Sequence, residues 1–112
     1  RIKAGKTLDD IRENYNEKGI FIEVKNVTLS RIKNIAEFPD AVTERGLKHL
    51  NELIEAKNRG FDIYLAFIIQ REDCKNFKIA EDIDPKYKKL LTFALKNKLK
   101  LFAMIVNFYQ KE

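Results

Sequence analysis

The chain has 112 residues, 45% of them hydrophobic and 35% charged, which is enough for one globular domain and excludes a disordered chain. No apolar run approaches the roughly 20 residues of a membrane helix and no secretory-leader pattern is visible, so no membrane association and a cytoplasmic location are expected. One cysteine, Cys74, excludes an internal disulfide and a zinc site built from several cysteines, and the net charge of +5 leans toward a polyanionic partner.

The chain opens on Arg1 and not on methionine, so it reads as a processed chain, a cloned domain or a trimmed chain, with room for an N-terminal region before it. Residues 1–3 suit the end of a strand. Leu8 and Ile11 suit a strand or a short turn of helix, and Asn14 to Gly19 a polar turn. Ile20 to Leu29 predicts a strand, with β-branched and aromatic residues at period two. That period sends Ile20, Ile22 and Val24 to one face, and Phe21, Glu23, Lys25 and Val27 to the other. Ser30 to Phe38 reads as a basic connector carrying Arg31 and Lys33. Pro39-Asp40 predicts a helix start with Asp40 as its cap. The helix runs to about Asn58, with Leu47, Leu50, Leu53 and Ile54 on its apolar side and Gly60 ending it.

Phe61 to Ile69 is apolar on both faces, as a central strand should be. Glu72 to Ile83 reads as a loop. Asp84-Pro85 starts a second helix that runs to about Asn97, with Tyr87, Leu90, Leu91 and Ala94 inward. Leu99 to Tyr109 predicts a second buried strand. The order β–α–β–α–β implies parallel strands joined by crossover helices, hence an α/β fold with a mixed sheet flanked by helices.

Glu23 and Lys25 place a carboxylate and an ammonium side by side on one strand face. Charges there are costly to bury unpaired, so either the face is solvated or the pair does chemistry. An acid-x-Lys pair on a strand is the second half of the PD-(D/E)xK nuclease motif, and it is also a common ion pair on an edge strand.

Three stretches together resemble the sugar fermentation stimulation protein A family. They are Phe21-Ile22-Glu23-Val24-Lys25-Asn26-Val27-Thr28-Leu29, then Phe38-Pro39-Asp40-Ala41-Val42-Thr43-Glu44-Arg45-Gly46-Leu47-Lys48-His49-Leu50, then Ile69-Gln70-Arg71-Glu72-Asp73 followed by Ile83-Asp84-Pro85-Lys86-Tyr87. The resemblance implies a single PD-(D/E)xK nuclease-like domain over residues 1–112, with a restriction-endonuclease-like core and without the N-terminal OB-type domain of the family. It also implies a DNA-binding protein with metal-dependent nuclease chemistry on DNA or RNA; a non-enzymatic DNA-binding module that keeps the fold is the alternative. The family's Ser-Arg-x-Asp-Phe is here Thr7-Leu8-Asp9-Asp10-Ile11, so Asp10 takes the acid position while the arginine and the aromatic are replaced.

On this resemblance Asp10 and Glu23 are metal ligands for Mg²⁺ or Mn²⁺, with the Val24 carbonyl as a third oxygen, and Lys25 is the catalytic cation. By composition alone Asp10 is a turn residue. Arg45 and Lys48 are implied phosphate contacts on what otherwise reads as a solvated helix face. Gln70 touches substrate or caps its strand. His49, the only histidine, reads as structural, and Cys74 has no assigned role.

Overall fold

The computed structural model describes residues 18–106. Asp10 and any strand over residues 1–15 lie outside them. Eight elements follow in order: β1 (Ile20–Val27), β2 (Leu29–Ile32), β3 (Ile35–Phe38), α1 (Glu44–Asn58), β4 (Asp62–Ile69), β5 (Asn76–Ile79), α2 (Pro85–Lys96) and β6 (Lys100–Ile105).

The class is α/β, with two three-stranded sheets where one mixed sheet was expected. The first has the order β1-β4-β6 and is parallel throughout. The second has the order β2-β3-β5, antiparallel between β2 and β3 and parallel between β3 and β5. Residues 30–38 are therefore a hairpin and not a connector. Asn34 takes the left-handed conformation at its turn (φ 71°), a position Asn tolerates well. The same turn anchors β5: the Asn34 carbonyl accepts from the amides of Lys75 and Asn76, and its side-chain oxygen from Lys75 at 2.7 Å. So the expected loop 72–83 carries a strand. Its four residues are too few for a period-two signal to stand out.

β4 is central, as its two apolar faces predict. Ile63, Leu65, Phe67 and Ile69 line one face and meet Leu50, Leu53 and Ala56 of α1 and Tyr87, Leu91 and Ala94 of α2 in one buried cluster. β6 was expected to be buried. Among the described residues its sheet partner is β4 alone, and Ala103 and Ile105 are exposed.

α1 begins three residues later than Asp40 suggests as its cap. Its cap is Thr43, whose hydroxyl accepts from the Gly46 amide at 2.8 Å. Gly60 follows its end with φ 100°, a conformation that favours glycine. α2 is capped by Asp84 as expected. That carboxylate is 1% exposed, and it serves both helices. Oδ1 accepts from the Tyr87 amide at 3.0 Å, inside the first turn of α2. Oδ2 accepts from the amide of Thr43, the cap of α1, at 2.9 Å. One buried charge thus ties the two helix N-termini together and helps set where α1 lies over the sheet.

Candidate functional site

Parallel register fixes where the acid-x-Lys pair points. Glu23 stands beside Leu65 and Lys25 beside Phe67, so both lie on the face that the helices cover. The aliphatic side of β1 is the more open one: Ile22 and Val24 are 40% and 55% exposed. The pair therefore sits under α1 at the margin of the core, half-buried, and is not a solvated edge pair. Lys25 Nζ lies 3.3 Å from Glu23 Oε2, with the lysine side chain 13% exposed and the glutamate 30%.

A third side chain joins them. His49 on α1 places Nδ1 2.6 Å from Lys25 Nζ and 3.1 Å from Glu23 Oε2. Reading His49 as merely structural missed this contact. The signal lay in the helix period: four residues bring His49 almost back in line with Arg45, on the flank beside the apolar stripe, and the crossover lays that flank over the strand. Residues 45, 49 and 52 share this flank. Lys48 lies about 100° round the helix from His49, on the solvent side. Both Arg45 and Lys48 are exposed.

A groove of about 390 Å³ runs between β1 and α1, lined by Phe21, Ile22, Glu23, His49, Glu52, Leu53, Glu55, Ala56 and Arg59. Its donors are mostly carboxylate oxygens, which suits a hard divalent cation. Among the described residues no group of three His, Cys, Asp or Glu side chains is close enough to hold a metal. Asp10, the residue the family pattern suggests, lies outside the described residues.

Beneath the pair, Tyr87 is fully buried and its hydroxyl has no hydrogen-bond partner among the described residues. Burial pushes its phenol well above the usual tyrosine range, and the negative charges of Glu23 and Asp84 add to that. Gln70 is not brought to the pair: its side-chain amide donates to Asn26 Oδ1 at 2.9 Å. Arg31, expected as part of a basic surface, is committed to structure. It donates to the buried Glu37 through Nε at 2.9 Å and also through Nη2, and holds Asp82 in a two-pronged pair at 2.7 and 2.8 Å. The Arg31 hydrogen bonds pull the Asp82 carboxyl down to about 2. Cys74 is buried and free. No helix of the described residues is long and apolar enough to cross a membrane.

Residues 2–112 match the family described as "Sugar fermentation stimulation protein RE domain". Similar curated proteins include a sugar fermentation stimulation protein homolog of Pelagibacter ubique, 50% identical over 97 residues, which are 87% of this chain and 42% of that protein. A homolog from Bdellovibrio bacteriovorus is 44% identical over 108 residues, 96% of this chain and 44% of its own length. The chain thus spans less than half the length of these relatives. Among solved structures it resembles Pyrococcus furiosus SfsA in complex with Ca²⁺, with a TM-score of 0.72 and 33% identity over 80% of this chain and 38% of that one. With a match over nearly its whole length, the chain belongs to the sugar fermentation stimulation protein family.

Proposed function

We propose that this chain is a divalent-metal-dependent phosphodiesterase domain acting on DNA or RNA, built on a PD-(D/E)xK core of the restriction-endonuclease type. The observation that carries the reading is the Glu23–Lys25 pair. An acid and an ammonium stand 3.3 Å apart, partly screened from water under a helix, beside a carboxylate-lined groove. A simple surface ion pair needs neither the partial burial nor the groove.

In this reading Glu23, the Val24 carbonyl and Asp10 hold Mg²⁺ or Mn²⁺. When bound, the cation supplies Lewis-acid polarisation of a phosphoryl oxygen and makes a water more acidic. The Ca²⁺ named with the Pyrococcus protein supports an oxygen-ligand site, because Ca²⁺ and Mg²⁺ both take oxygen donors. Lys25 has donors only and a fixed positive charge to offer where negative charge grows on phosphorus. Arg45, on the helix flank above the pair, is the phosphate contact this geometry favours. Lys48 adds charge from the solvent side of the same helix.

Calorimetry with Mg²⁺ and Mn²⁺ on the wild type and on Glu23→Ala tests the metal assignment. The wild type is expected to bind and the variant to lose most of that binding. Equal binding by the two proteins removes Glu23 from the site.

A further inference from the structure

We propose that His49 is the positioning residue for the Lys25 ammonium, and that the side chains of Glu23, Lys25 and His49 work as one unit. As a role in catalysis this rests on the nuclease reading above; as a contact it does not.

The donor inventory sets the direction of the contact. An ammonium donates and cannot accept, so a Lys25–His49 hydrogen bond at 2.6 Å assigns His49 Nδ1 as the acceptor and puts the ring proton on Nε2. Glu23 Oε2, 3.1 Å from the same Nδ1, then faces an acceptor and makes no hydrogen bond with it. Both acceptors share the one ammonium between them. This matters because a lysine side chain is a flexible four-carbon stem that loses substantial rotamer freedom when held in one place. With Glu23 as its only anchor, the ammonium would be drawn toward the carboxylate that is assigned to the metal. The acceptor on α1 gives the ammonium a second anchor, close beside Glu23 Oε2, and so ties the charge to the helix as well as to the strand. The ring itself has little freedom. His49 is 19% exposed, and its helix is pinned at the N-terminus through Thr43 and Asp84.

His49 is the only histidine, so its ring signals are unambiguous in a nitrogen-15 NMR spectrum. At one mildly alkaline pH and without metal, the wild type is expected to show the Nε2–H form with Nδ1 as acceptor. Lys25→Met removes the donor and should move the ring proton toward Nδ1, where it can donate to Glu23. A wild type in the Nδ1–H form, or ring signals unchanged in Lys25→Met, overturns the contact.

The catalytic arm uses plasmid cleavage with Mg²⁺ or Mn²⁺. His49→Ala should lower kcat by about tenfold to a hundredfold, the scale of a misplaced reacting group, and leave KM nearly unchanged. His49→Asn places Oδ1 at the same bond distance from Cβ as Nδ1, so it should keep kcat within a few-fold. Rescue by Asn separates positioning from folding, and a urea midpoint on each variant confirms that both are folded. A kcat for Asn as low as that for Ala, or an unchanged kcat for Ala, overturns the positioning role. If the wild type cleaves with neither metal, the nuclease reading fails and the catalytic role with it, while the NMR arm still decides whether His49 holds Lys25.

Discussion

Replacing Asp84 should cost more than an ordinary helix cap. Its carboxylate is 1% exposed and accepts from two amides, Tyr87 at 3.0 Å and Thr43 at 2.9 Å. Losing an N-cap side chain costs about 1 kcal/mol, within a range of roughly 0.5–2. Asp84→Ala also leaves the Thr43 amide without its acceptor at the head of α1, which adds about 1–3 kcal/mol for a buried donor. The sum is about 2–4 kcal/mol, a large share of the roughly 5–15 kcal/mol that holds a typical domain together. At about 4–8 °C per kcal/mol for a domain near this size, Tm should fall by about 10–30 °C. Asp84→Asn keeps one acceptor and turns a donor toward the other amide, so it should recover little of the loss. Urea melts of the three proteins give the numbers. A loss under about 0.5 kcal/mol in Asp84→Ala would place this residue among ordinary surface positions and refute the double-cap reasoning.

Tyr87→Phe should behave unlike most buried tyrosine replacements. Its hydroxyl is buried without a partner among the described residues, so removing it relieves a cost of about 1–3 kcal/mol, partly offset by the small void left behind. The phenol is raised in the folded state, so its contribution is intact below the unfolded tyrosine value of about 10 and is lost as pH rises beyond it. Urea midpoints should show the variant at least as stable near neutrality, with an advantage that grows above that pH; a destabilised variant with no such trend contradicts this. Arg31→Met should lower the thermal midpoint because it removes the partner of the buried Glu37 side chain, whereas Asp82→Asn at the exposed end of the same network should change it little. Binding to duplex DNA should weaken with salt, and Arg45→Gln should reduce the log–log slope by about 0.9 if Arg45 meets one phosphate. A slope unchanged by the substitution removes Arg45 from the interface.

Both helices and the central strand were legible in the sequence because each carries a strong local signal. β4 is apolar on both faces, α2 has Asp84-Pro85 at its head, and α1 has a clear leucine stripe. The hairpin of β2 and β3 was not legible. Arg31, Lys33 and Glu37 give it a polar, loop-like look, and the reason Glu37 is tolerated in a strand is a partner from the same hairpin, Arg31. Only pairing in space reveals that. The start of α1 was misplaced because Asp40 follows a proline and looks like a cap, while the true cap, Thr43, is held by Asp84, 41 residues away in sequence. At the candidate site, the shared face of Glu23 and Lys25 followed from strand period, and their reading as a site from the family resemblance. Their burial did not, because it depends on which face the helices choose to cover. His49 was hidden for the same reason: its partners lie 24 and 26 residues back, on an element whose register with α1 no local pattern encodes.

The central claim is that Lys25 serves phosphodiester cleavage and is not a stray ion pair. The direct measurement is metal-dependent nicking of plasmid and of single-stranded RNA by folded wild type and Lys25→Ala at matched concentration, with Mg²⁺ or Mn²⁺ binding followed in parallel. The expected result is cleavage by the wild type, a loss of about a hundredfold to a thousandfold in rate for the variant, and retained metal binding, because the charge acts in the transition state. A wild type that cleaves no faster than Lys25→Ala, with both folded and both binding metal, would contradict it.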